Sequence, residues 1–223
     1  MRPRFNAVCF DCDSTLSRIE GIDELGRNAG CEAEIAELTN AAMDGKIALD
    51  DVYGKRLDRV QPSRAALSWL GERYAAEVVL GAKETIATLL GSGVAVYVVS
   101  GGLLQPVRAF AQSLGIAAAH VHAVEVYFGT GGAYQGFDTS SPLASSNGKA
   151  IICRAIAAEH GSVAMVGDGV TDLSARAGGA YIVGYGGVVR RPAVERGADY
   201  YVSTSNLTAT LAALLTNDEQ DQS

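Results

Sequence analysis

Apolar positions change rhythm several times along the chain, and each change predicts a different element. Short apolar runs at residues 7–10, 94–99, 163–166, 180–183 and 200–202 read as buried strands, four of them ending at or near Gly, Ser or Asp. Between them, helical spacing at 83–90, 103–114, 150–159 and 173–177 predicts helices. Strands alternating with helices imply right-handed crossovers and a parallel sheet, so the expected fold is α/β with a Rossmann-like doubly wound core. From 17 to 77 the texture differs: Ile22, Leu25, Ile35, Leu38, Met43, Val52, Leu57, Leu67 and Leu70 recur at helical intervals with no strand-like run. Gly30, Gly45 and the stop-and-cap pair Pro62-Ser63 divide this stretch into several short helices. The expected organisation is therefore a core from 1–16 and 78–216, with a small helical-bundle cap domain, 17–77, inserted after the first strand. Alternation at Val121, Ala123, Glu125 and Tyr127, then glycines and Ala133 to Phe137, predicts a β-hairpin flap. The polar stretch 217–223 is expected to be disordered.

At 223 residues, 48% hydrophobic and 19% charged, the chain has the composition of a globular protein with a sizeable core. Eighteen basic against twenty-five acidic residues give a net charge of −7, which disfavours nucleic acid and anionic membrane surfaces as general partners. Met1 to Phe5 lacks a signal-peptide core, and no apolar run reaches the roughly 18 residues of a membrane span, so the cytoplasm is the expected compartment. Cys9 and Cys12 have a spacing that could serve redox chemistry or half a zinc site, but Cys9 falls inside an apolar strand and no second Cys/His pair stands near it. Buried or incidental thiols are the expectation for them and for Cys31 and Cys153.

Candidate chemistry sits where predicted strands end. Asp11 and Asp13 follow the first strand, and persistence of its two-residue period would turn both carboxylates to one side. Asp and Ser also favour turns, so this pair alone leaves both readings open. Ser100-Gly101-Gly102 closes the second strand with a hydroxyl and backbone N–H groups able to meet an anion. Lys149 opens a predicted helix, where the helix dipole disfavours a cation unless an anion compensates. Gly167-Asp168 closes another strand, with Asp172 four residues on, and one or two carboxylates plus a phosphate suit magnesium. Four such elements, each at a carboxyl end, point jointly to phosphoryl transfer.

Asp11-x-Asp13-x-Thr15, Ser100-Gly101, Lys149 and Gly167-Asp168-x-x-x-Asp172 resemble the four motifs of the haloacid dehalogenase superfamily. Within it, Glu20 to Leu25, Arg56, Gln61-Pro62-Ser63-Arg64, Ser100-Gly101-Gly102 and Gly184-Tyr185-Gly186-Gly187 are similar to the branch acting on phosphoserine, a likeness running from about Phe5 to Leu215. That resemblance implies hydrolysis of O-phospho-L-serine to L-serine and phosphate, the last step of serine biosynthesis. Asp11 would be the nucleophile that becomes an aspartyl-phosphate, and Asp13 the general acid and base. Mg²⁺ would be held by Asp11, the Asp13 backbone carbonyl and Asp168, with Asp172 steadying them. Ser100, Gly101 and Lys149 would bind the phosphoryl oxygens; Glu20, Met43, Arg56, Gly102 and Thr171 would line the amino-acid end, Glu20 facing the ammonium and Arg56 the carboxylate.

Leu49, Asp44, Thr171 and Ala150 depart from the residues common in that branch. Leu49 and Asp44 motivate a second reading, a phosphatase for another small phosphomonoester. A third, a non-catalytic protein sensing a phosphorylated metabolite, is disfavoured because Asp11, Asp13, Lys149 and Asp168 are all present. The expected partners are a small-molecule substrate and, for assembly, a second copy in a homodimer.

Overall fold

The computed structural model describes residues 2–44 and 46–216, without the side chains of Met43 and Leu49; Gly45 and the stretch 217–223 lie outside the described residues. The strands are β1 (Arg2–Pro3), β2 (Ala7–Phe10), β3 (Ala95–Leu103), β4 (Val121–Val124), β5 (Val126–Phe128), β6 (Tyr134–Phe137), β7 (Val163–Gly167), β8 (Ala180–Tyr185), β9 (Tyr200–Val202) and β10 (Leu215–Thr216). The helices are α1 (Gly21–Asn28), α2 (Glu32–Met43), α3 (Leu49–Val60), α4 (Arg64–Ala76), α5 (Ala82–Gly91), α6 (Leu104–Ser113), α7 (Gly148–His160), α8 (Val170–Ser174), α9 (Pro192–Gly197) and α10 (Leu211–Leu214).

Six strands form the main sheet in the order β4-β3-β2-β7-β8-β9, every pair parallel. This is a doubly wound order: the chain steps outward from β2 to β4, then restarts beside β2 at β7 and steps the other way. Ligands in such sheets bind outside the carboxyl ends where the direction reverses, here between β2 and β7. Val8, Phe10, Val96, Val98, Val99, Ala164, Met165 and Val166 are fully buried, as expected of strands covered on both faces. α7 packs across β2, β3, β7 and β8, while α5 and α6 lie against β3.

The stretch from Leu16 to Val79 contains the four helices α1 to α4. Its apolar spacing is used as expected: Leu25, Ile35, Val52, Leu57, Leu67 and Leu70 are buried. Ser63 caps α4, its Oγ accepting from the Ala66 N–H at 3.1 Å. The chain leaves and re-enters the sheet unit by adjacent strands, for Arg18 N–H donates to Glu77 C=O (2.8 Å) and Val79 N–H to Leu16 C=O (2.9 Å).

Three sequence expectations change. The alternating stretch from Val121 is two strands, not one arm of a hairpin: β4 joins β3 as the parallel edge of the main sheet, and only β5 pairs antiparallel with β6. Period-two alternation marks a strand but carries no information about its partner. The second strand does not end at Val99, since β3 runs on through Ser100-Gly101-Gly102 to Leu103 before α6 begins. The helix expected at 173–177 starts earlier, at Val170, because the Asp172 carboxylate accepts from the Gly169 N–H (2.8 Å) and caps its first turn.

Candidate active site

β2 delivers Asp11 one residue past its end, where its N–H donates to Val166 C=O of β7 (2.9 Å). The chain then turns. Cys12 C=O accepts from the N–H groups of Leu16 (2.9 Å) and Ser17 (3.0 Å), and Ser14 takes a left-handed conformation, φ +51°, uncommon for a residue with a side chain. Asp11 and Asp13 thus reach one cavity through a tight turn rather than through persistence of the strand period.

The two carboxyls have different surroundings. One oxygen of Asp11 accepts from the Cys12 N–H (2.8 Å) and the other lies 2.8 Å from Lys149 Nζ. Asp13 Oδ1 accepts from the Gly21 N–H (2.6 Å) and the Tyr74 hydroxyl (2.7 Å). Burial, reinforced by the neighbouring Asp11 charge, raises the Asp13 carboxyl to about 6, the range a proton-transfer group needs near neutral pH.

Lys149, on the first turn of α7, is 5% exposed and also sits 2.5 Å from Asp172 Oδ1. Burial lowers its pKa, but Asp11 and Asp172 outweigh that and hold it above the ordinary lysine range. The anion its helical position demanded is supplied by these two carboxylates. Ser100 is fully buried at the cavity floor, its Oγ accepting from the Gly102 N–H (3.0 Å).

Asp168, at the end of β7, receives Arg191 Nε on Oδ2 (3.2 Å) and the Thr15 hydroxyl on Oδ1 (3.4 Å). Gly167 before it must be glycine, because a Cβ there would sit 2.1 Å from the Asp172 carboxyl carbon. Carboxylate oxygens of Asp11, Asp168 and Asp172 lie within 4.8 Å of one another, all three residues buried. Burial, then repulsion from Asp172 and Asp11, pushes Asp168 to about 8, and burial lifts Asp172 to about 6 despite Lys149. Lys149 and Arg191 offset only two of three negative charges, and an all-oxygen donor set with charge left over suits a hard divalent cation.

Helices α1 and α3 supply the far wall. Arg56 is 5% exposed; one terminal nitrogen donates to Thr39 Oγ1 (3.0 Å), while its Nε is buried with no hydrogen-bond partner among the described residues. Glu20 accepts from the Ser14 hydroxyl (2.7 Å) and forms no ion pair among the described residues. Burial and the charges of Asp13 and Asp168 raise its carboxyl well above the usual range. Gly102 and Thr171 line the same cavity; the Met43 side chain lies outside the described residues.

Tyr74, Tyr53 and Arg191 were not legible as site residues. Tyr53 donates to Gly101 C=O (2.9 Å), and Arg191 bridges Asp168 to Asp44 Oδ1 (2.8 Å) across the sheet unit and the helices. The tyrosines sit at ordinary helical spacing, which looks like core packing. For Arg191 the signal available was its position just after the Gly184-to-Gly187 stretch. All four cysteines are free and buried, Cys9 beside Cys153, and Cys12 is the spacer between the two aspartates.

Residues 5–178 match the haloacid dehalogenase-like hydrolase family. The chain belongs to that family. It is an enzyme, a phosphomonoesterase. The mouse phosphoserine phosphatase is 36% identical over 200 residues, 89% of each chain. A substrate-bound phosphoserine phosphatase complex superposes with a TM-score of 0.84 at 27% identity, covering 95% of this chain and 99% of that one. A phosphoserine phosphatase holding an analogue of the phospho-aspartyl intermediate gives 0.82 at 27%, with the same coverage. Among the described residues no helix is long and apolar enough to cross a membrane.

Proposed function

We propose that this enzyme is a phosphoserine phosphatase, hydrolysing O-phospho-L-serine to L-serine and phosphate. The observation that carries the reading is a single cavity lined by Asp11, Asp13, Ser100 and Lys149 from the sheet unit and by Glu20 and Arg56 from the helical insert. The first set suits a phosphoryl group. The second presents a carboxyl that forms no ion pair and a guanidinium whose buried Nε–H has no hydrogen-bond partner among the described residues, matching the ammonium and carboxylate of a free amino acid.

Asp11 attacks phosphorus and carries the phosphoryl group as an aspartyl-phosphate, which water then cleaves. Asp13 gives its proton to the departing serine oxygen and recovers one from the attacking water. Lys149, Ser100 and the Gly101 N–H bind the phosphoryl oxygens and stabilise the charge spread over them in each transfer. Asp11, Asp168 and the Asp13 carbonyl would hold Mg²⁺, with Asp172 orienting Lys149 and the Gly169 turn beside them. When bound, that cation neutralises the approach of two anions.

Residues 17–77 act as a cap, because they supply Glu20, Arg56, Tyr53 and Tyr74 and are joined to the sheet unit by only two adjacent crossings. Its closure excludes water from the cavity. Four free, buried cysteines support placing the enzyme in a reducing compartment, the cytoplasm.

The test is phosphate release with Mg²⁺ from a panel of phosphomonoesters, with Arg56→Ala beside wild type. Phosphoserine should give the highest kcat/KM. Arg56→Ala should lower that value about tenfold to a hundredfold while sparing substrates without an α-carboxylate. A clearly better substrate lacking the amino-acid group would overturn the reading and favour another small phosphomonoester.

A further inference from the structure

We infer that Tyr74 is a positioning residue for Asp13: its hydroxyl, with the Gly21 N–H, occupies Oδ1 and leaves Oδ2 as the one oxygen free to carry the catalytic proton. The inference rests on the acid–base role of Asp13 in the proposed reaction and assigns that role to one atom. An N–H and a phenolic O–H at 2.6 and 2.7 Å both donate to Oδ1, so a proton on Oδ1 would face two donors, whereas among the described residues none donates to Oδ2.

Two glycines fit this arrangement. A Cβ on Gly21 would lie 2.0 Å from the Tyr74 hydroxyl oxygen and 3.2 Å from Asp13 Oδ1, so any larger residue drives the phenol off the carboxylate. A Cβ on Gly102 would lie 3.1 Å from Asp13 Oδ2 and 3.2 Å from Ser100 Oγ, which places Oδ2 at the phosphoryl-binding end of the cavity. Tyr74 is itself held: fully buried, its ring stacks on Phe110 of α6 at 5.7 Å, and its carbonyl accepts from the Ser17 hydroxyl (3.2 Å). The hydroxyl therefore reaches Asp13 in one orientation, and it comes from the last turns of α4, next to the point where the chain returns to the sheet unit.

In the first transfer a bond forms between phosphorus and an Asp11 oxygen, the bond from phosphorus to the serine oxygen breaks, and the Oδ2 proton passes to that oxygen. In the second, water oxygen bonds to phosphorus, the bond to Asp11 breaks, and a water proton returns to Oδ2. A carboxyl free to rotate would present the wrong oxygen part of the time, so the cost of losing Tyr74 falls on the transfers and not on binding.

Tyr74→Phe keeps the buried ring and removes only the hydroxyl. On phosphoserine, kcat should fall about tenfold or more with KM within twofold of wild type. On p-nitrophenyl phosphate, whose leaving phenolate needs no proton, the burst of the first transfer should lose much less. Gly21→Ala, which displaces the phenol and retains its hydroxyl, should show the same pattern and decides the matter if Tyr74→Phe does not fold. A kcat within twofold of wild type, a loss confined to KM, or an equal loss on both leaving groups overturns the inference. Wild type in parallel separates the two readings: if it prefers another alkyl phosphate, the substrate assignment fails and the same comparison is made on that ester.

Discussion

Asp11 and Asp13 stand one residue apart yet have different surroundings, and the proposed reaction gives them different tasks. Asp11 lies 2.8 Å from the ammonium of Lys149, a buried cation. Asp13 is buried without a cation in contact, accepts two hydrogen bonds on one oxygen, and is raised to about 6. Asp11→Asn should therefore abolish turnover, by about 10⁴-fold or more, while the protein stays folded, since Lys149 keeps its 2.5 Å contact with Asp172. Steady-state kinetics beside a thermal melt checks both halves, and retained turnover would remove Asp11 from the nucleophile's role. At this scale the sequence pointed to acid, hydroxyl and lysine positions at strand ends, and the structure brings Asp11, Asp13, Ser100 and Lys149 to one cavity. It was a poor guide to geometry: the two-residue period stops at Phe10, and a turn around the Cys12 carbonyl, with Ser14 at φ +51°, brings the second carboxylate round.

Elements were legible in proportion to how local their causes are. Ser63 reads as a helix start because its own side chain accepts from an N–H three residues on. β4 was misassigned because joining β3 depends on residues more than 20 positions earlier, such as Val98, which pairs with Val121. That edge strand also holds a titrating group: His122 is half-buried, and burial, aided by His120, lowers its pKa below the usual 6.5. Its folded pKa is thus depressed relative to the unfolded chain. The neutral ring's contribution to stability is present above about pH 6.5 and lost as pH falls through the folded value. Denaturant unfolding of wild type against His122→Gln should show the variant losing less stability between about pH 6.5 and 5. Parallel slopes would mean that protonating His122 costs the fold nothing.

Across the whole molecule, the six-stranded order sets Asp11, just past β2, beside Asp168, just past β7, the two strands flanking the reversal, and α7 then brings Lys149 between Asp11 and Asp172. Three carboxylates gathered this way repel one another, so a cation bound only by the folded state must stabilise it. Adding Mg²⁺ to chelator-treated protein should raise the unfolding temperature progressively, by an amount equivalent to about 2.7 kcal/mol once the ion exceeds its dissociation constant a hundredfold. An unfolding temperature indifferent to Mg²⁺ would argue against the carboxylate cluster as a cation site.

By itself the sequence determined the alternation of strands and helices, the helical insert, and the acidic, glycine-rich and lysine positions where chemistry could occur, because each follows from residues close in the chain. Only the tertiary structure decided which of them share a cavity and in what state. Burial and charge repulsion are properties of neighbours, and Tyr74 reaches the site from a helix whose local pattern says nothing about it. The same holds for the Nε of Arg56: that it is buried without a hydrogen-bond partner among the described residues can be read only once the side chains around it are placed.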